Sequence, residues 1–171
     1  MDDAVLHAKH VMEYPYRRSL GPVLGRFLTA LRDGRLEANR TAAGRVLFPP
    51  MEYDPETGDD LADDWLTVGP GGVVTTWTWI AQPRACHPSD VPFAYALVRL
   101  DGADTAFLHI VRADDETTMR SGLRVRAVLA DERTGSIRDI AHFEPERSAA
   151  QDGEARDATE SGARNTQTGG E

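Results

Sequence analysis

Few side chains in this sequence are of types that do chemistry, and their spacing is poor for it. The 171-residue chain has one cysteine, Cys86, followed directly by His87 in the loop PRACHPSD. A nucleophilic thiolate needs a base within hydrogen-bond reach and a third group to orient that base. Adjacent residues on a proline-flanked loop do not provide that geometry. His7 and His10 sit in the N-terminal arm, His109 alternates with Phe107 and Val111, and His142 lies near the end of the last apolar segment. These read as solvated, packed or surface imidazoles rather than bases or ligands. No Ser-His-Asp grouping and no glycine-rich phosphate loop can be read out, so no catalytic residue and no cofactor are expected.

The stretch MEYDPETGDDLADDW holds seven acids and no base. Asp54, Glu56, Asp59 and Asp60 invite a calcium reading, but an EF-hand loop wants Gly at its sixth position and Glu at its twelfth. Counted from Asp54, those positions are Asp59 and Trp65. The stretch therefore reads as a solvated acidic loop.

The elements around these residues follow from periodicity and composition. Val23, Leu24, Phe27, Leu28 and Leu31 make one apolar stripe of a helix, with Ser19 as its expected cap, Pro22 in the first turn and Gly34 at the stop. A short apolar piece closed by Pro49 and Pro50 comes next. From Trp65 the signals are β. Gly69 to Gly72 read as a turn cluster before GVVTTWTWI; PFAYALVRL and TAFLHIV follow, joined through Asp101-Gly102. LRVRAVLAD alternates as a half-buried strand, and SIRDIAHFE is the last. Five strands with a short helical segment between the third and fourth give the order of an OB-fold barrel. The fold class expected is thus mainly β, a five-stranded OB-fold barrel preceded by an N-terminal helix.

From Ser148 to Glu171 there is no Val, Ile, Leu, Met, Phe, Trp or Tyr, so that segment reads as a disordered tail. The formal charge is −9, of which the tail carries −3 and the remainder −6. A negative domain is a poor partner for phosphate backbones. One cysteine excludes an internal disulfide and a cysteine zinc cage. MDDAVLHAKH lacks the features of a signal peptide, and no apolar run nears the ~20 residues of a membrane span. A cytoplasmic protein with no membrane partner is expected.

The ordered set of residues resembles a known family, the OB-fold proteins with an N-terminal helix and rubredoxin-like zinc ribbon that accompany thiolases (domain of unknown function family 35). Gly44, Val46, Pro49, Pro50, Pro55 and Gly58 fit its ribbon, Gly72, Val74, Thr76 and Thr78 its first barrel strand, PFAYALVRLDG its second, and Gly122 with Val125 its fourth. The resemblance covers residues 20–146. Its four cysteine positions are occupied here by Arg40, Ala43, Asp54 and Thr57. Of these vestigial ligand positions only Asp54 offers a donor for metal, so a degenerate, zinc-free ribbon is implied, held by packing on the barrel or on a partner. SLGPVLGRFL and GRVLFPPMEYDPETG further resemble a cysteine-free actinobacterial subset associated with steroid side-chain degradation.

The resemblance implies divisions at 1–36 for the arm and helix, 37–64 for the ribbon, 65–146 for the barrel and 147–171 for the tail. It also implies a non-catalytic accessory subunit that binds a thiolase-like, sterol-carrier-type partner and shares an acyl-CoA substrate with it. The reacting residues would sit in the partner. The runner-up is a stand-alone OB-fold module binding single-stranded nucleic acid or a small ligand.

Two tryptophans bear on that choice. If Val74, Thr76, Thr78 and Ile80 form the inward row, Thr75, Trp77 and Trp79 face outward, and paired exposed indoles mark a partner interface. The opposite register makes them core. A third alternative stacks bases on them, against the net charge. Arg84, Arg99, Arg112, Arg124 and Arg126 could meet a CoA phosphate or simply line solvated strand faces.

Overall fold

The computed structural model describes residues 10–15, 19–61 and 63–146. Most of the expected N-terminal arm, with His7, and the expected disordered tail lie outside them.

The apolar stripe forms α1 (Gly21–Arg32), which buries Phe27, Ala30 and Leu31. Ser19 does not cap it. Leu20 occupies the cap position, no side chain accepts from the first turn, and Pro22 reduces the number of N–H groups needing a partner. At the other end Gly34 takes φ +81°. Its N–H reaches the Leu31 carbonyl at 2.9 Å, and that of Arg35 reaches Ala30 at 2.8 Å, a left-handed helix stop that glycine allows without steric cost.

Three short strands follow, β1 (Glu37–Arg40), β2 (Val46–Leu47) and β3 (Trp65–Thr67). They make an antiparallel sheet in the order β2-β1-β3. Trp65 to Thr67 therefore pair with the small sheet, and the barrel strands begin at Gly71. The barrel comprises β4 (Gly71–Ile80), β5 (Phe93–Leu100), β6 (Ala106–Val111), β7 (Arg124–Leu129) and β8 (Ile140–Pro145). It closes in the order β4-β5-β6-β8-β7, antiparallel except for the parallel β6–β8 pair. A 3-10 turn at Glu116–Thr118 stands between β6 and β7. This is the expected OB-fold.

Gly71 joins Gly72 in the strand rather than the turn, and at Gly72 the lack of a side chain is needed. A Cβ on Gly72 would stand 2.7 Å from the Arg99 carbonyl oxygen. The segment read as the last strand is likewise split: Ser136 to Asp139 form a capped 3-10 turn, and the strand starts at Ile140.

Helix, small sheet and barrel share one core. Phe27 meets Phe48 edge-on at 5.6 Å, Phe48 meets Phe107 at 4.9 Å, and Phe107 meets Phe143 at 5.8 Å. This row runs from α1 through the β2 segment into the barrel, in the edge-to-face arrangement that ring quadrupoles favour.

Candidate partner-binding surface

Of the four positions that the resemblance marks, Arg40 ends β1 and the other three lie in the turns that follow β1 and β2. Arg40, the last residue of β1, approaches Asp64 at 3.8 Å, and Ala43 is exposed in the turn that follows. That turn is held by Thr41, whose Oγ1 accepts the Arg45 N–H at 3.2 Å. In the second turn the Asp54 carboxylate accepts the Glu56 N–H at 2.8 Å and the Thr57 hydroxyl accepts that of Asp59 at 3.2 Å. Arg45 and Glu56 join the two turns by an ion pair.

The acidic stretch is largely exposed, as expected, with Asp54 buried in its turn. Arg26 on α1 bonds Glu37 at 3.1 Å and Asp63 at 3.2 Å, and its guanidinium lies 4.4 Å over the Trp65 ring. The small sheet is also pinned to the β5–β6 connection. Asp104 accepts the Val46 N–H at 2.8 Å, and Thr105 both donates to and accepts from the Phe48 backbone. Asn39, 1% exposed, does the same for Met51. Sequence reading singled out none of these polar residues, although Asp and Thr after a hairpin Gly are typical side-chain-to-backbone bonders.

Among the described residues the candidate chemical groups do not converge. Cys86 is exposed, whereas the His87 ring packs on Phe93 and Tyr95 at 5.9 and 6.4 Å and its Nδ1 accepts the Arg84 N–H at 3.0 Å. His109 sits between the rings of Phe107 and Phe143, with Nδ1 buried and unpartnered. Burial pushes its pKa down, and burial followed by the nearby Arg112 does the same to His142. Arg124 is taken up by Asp101, at 2.7 Å through both Nη atoms, and by Glu146 at 3.2 Å. That fork holds the Asp101 carboxyl below its usual range.

Trp77 and Trp79 occupy the other face from the one expected. Val74 pairs with Val98 but Thr76 pairs with Leu97, so Thr75 is an extra residue, and its Oγ1 bonds the Leu97 carbonyl at 3.0 Å. This bulge inverts the alternation. Beyond it Thr76 and Thr78 are exposed, while Trp77 and Trp79 are half-buried against the core, opposite Ala96 and Ala94. Beyond Val74 the strand pairs only with β5 among the described residues, because β7 reaches just Gly71 to Val73.

Two apolar patches stand out on the surface of the described residues. One, around Leu20, Leu24, Met51 and Tyr53, borders a groove of about 620 Å³ between α1 and the small sheet. The other is made by Leu97, Leu108 and Ile137 on the barrel.

The architecture places the protein in a class: an OB-fold barrel with a helix and a three-stranded sheet packed against it. Residues 65–130 match the family described as the C-terminal OB-fold domain of ChsH2, and this match together with the structural neighbours supports the DUF35 OB-fold family. Among solved structures, the chain is similar to one from the Ltp2-ChsH2(DUF35) aldolase, with 19% identity and TM-score 0.55 over 75% of this chain and 98% of that one. It is also similar to a DUF35 protein of unknown function from Sulfolobus solfataricus, with 13% identity and TM-score 0.57 over 74% and 85%. No curated protein matches the chain. No described helix is long and apolar enough to cross a membrane.

Proposed function

We propose that this chain is a non-catalytic accessory subunit. Its partner is a thiolase-superfamily enzyme acting on acyl-CoA thioesters in the cytoplasm, with steroid side-chain CoA esters as the substrate class and retro-aldol or thiolytic cleavage as the reaction. The observation that carries this reading is the match of the barrel to the ChsH2 C-terminal OB-fold domain, together with the similarity to a chain of the Ltp2-ChsH2(DUF35) aldolase. The site geometry agrees with it: the imidazole nearest Cys86 is engaged by rings and a backbone N–H, and the imidazole of His109 is enclosed by phenylalanines.

The test is reconstitution with an Ltp2-type thiolase-superfamily subunit. Cleavage of a steroid side-chain acyl-CoA is measured for each protein alone and for the pair. This chain alone should be inert, and the partner should gain activity or solubility with it. Turnover by this chain alone, or full activity of a soluble partner without it, would refute the proposal.

A further inference from the structure

We propose that the outer face of β5 and β6 is the docking surface for a protein partner, and that the partner meets it with apolar side chains rimmed by carboxylates. This inference rests on the accessory-subunit reading and names the surface and the chemistry that would serve it. Alternation sends Tyr95 and Leu97 outward on β5, paired across the sheet with Ile110 and Leu108 on β6. Leu108 is 62% exposed and Leu97 37%, at mid-strand positions where a one-sided sheet puts polar residues toward water. The turn before β8 adds the exposed Ile137. Between that turn and His87-Pro88 runs a groove of about 560 Å³ that includes Tyr95, Leu108 and Ile110.

Charge selects the occupant. Arg99 ends the outer row of β5, Arg112 continues that of β6, and Arg138 follows Ile137. All three are exposed and none is in an ion pair among the described residues. No carboxylate stands on the outer positions of β5 or β6. Asp139, beside Arg138, turns inward and spends its oxygens on the N–H groups of Thr134, Gly135 and Ser136. Glu144 lies in register with Arg126, and in the adjoining cleft Arg84 and Arg112 face the single acid Asp90. A chain of net charge −9 thus surrounds one apolar patch with cations. A second copy set face to face would bring like charges together, which association disfavours. A protein surface with an apolar centre and an Asp/Glu rim satisfies both features.

The experiment is hydrogen exchange on the complex with the same Ltp2-type subunit, with binding isotherms for Leu108→Glu and for the double variant Arg112→Glu/Arg138→Glu. Protection is expected over 93–99 and 106–112. Leu108→Glu should keep the melting temperature and weaken binding at least tenfold, and the double variant should weaken it and flatten its salt dependence. If Leu108→Glu does not fold, the arginine variant decides alone. Protection confined to the groove at Leu24 and Met51, with both variants binding normally, overturns this surface and leaves the accessory reading standing. Absence of any complex overturns both. A homodimer abolished by Leu108→Glu makes the occupant a second copy and overturns the partner assignment.

Discussion

Thr105 and Phe48 form a reciprocal pair across two parts of the fold. The Thr105 hydroxyl accepts the Phe48 N–H at 2.7 Å and donates to the Phe48 carbonyl at 2.8 Å. One side chain from the β5–β6 connection thereby satisfies both backbone groups of a residue only 1% exposed, after the last paired position of β2. Structural zinc contributes ~10–16 kcal/mol to small metal-bound modules. In this chain Asp104 and Thr105 of the β5–β6 connection anchor the backbone of Val46 and Phe48.

Thr105→Val keeps the shape and leaves both Phe48 groups unsatisfied. Stability should fall by about 2–4 kcal/mol, since each buried unpaired group costs ~1–3 kcal/mol. Urea unfolding of the two proteins measures it, and a chelator should leave the wild-type melting temperature unchanged. A variant as stable as the wild type, or a melt lowered by chelator, contradicts this account.

Gly72→Ala and Gly71→Ala differ in what they strike. At Gly72 the new methyl meets the Arg99 carbonyl at 2.7 Å, and backbone cannot easily yield. At Gly71 it meets the tips of Asp101, Arg124 and Glu146 at 2.7–2.9 Å, flexible ends that can move aside. Gly72→Ala should cost about 1–3 kcal/mol by overpacking, and Gly71→Ala clearly less. Thermal melts that invert this order refute the register.

Trp77 and Trp79 lie over Ala96 and Ala94, so truncating the indoles opens voids against small neighbours. Trp77→Ser/Trp79→Ser should lower stability by about 3 kcal/mol or more, because large aromatic-to-small changes in cores cost ~3–5 kcal/mol each and these rings are half-buried. A double variant that keeps its melting temperature but loses the partner would restore the indoles to an interface.

Acid should destabilise the protein in two steps. His109 and His142 are held below their ordinary 6.5, so the unfolded chain takes up protons first. Their contribution is complete above about pH 6.5 and is lost as pH falls from there toward the folded-state values. Asp139 is buried, which alone would raise its pKa, but its three backbone N–H donors hold it below 3.8, as Arg124 does for Asp101. That second contribution is lost at still lower pH, as these depressed values are passed. His109→Phe should flatten the first step in denaturation curves taken from about pH 7.5 to about pH 5; an unchanged slope would mean that His109 titrates freely.

The barrel was legible because its strands alternate cleanly. Leu123, Val125 and Ala127 all point inward, as their period of two requires, and the five-strand order follows from turn signals at Gly102 and Gly122. The row of Trp77 was not legible, since one bulged threonine reverses every later side chain and Thr75 resembles its neighbours in type. The helix cap failed for a related reason: Ser19 is a good capping type, but glycine and proline at the start of α1 shift the cap to Leu20. Thr105 and Asp104 bond to partners 57 and 58 residues away, contacts that local pattern does not encode. Leu97 and Leu108 are ordinary strand residues in sequence, and only the closed barrel decides which face they take.

Size-exclusion chromatography with light scattering, on this chain co-expressed with an Ltp2-type thiolase-superfamily subunit, tests the central claim most directly. The account predicts a single peak containing both chains in a fixed ratio, with the mass of a stable complex. Two separate peaks at the masses of the free proteins, at concentrations well above micromolar, would contradict it.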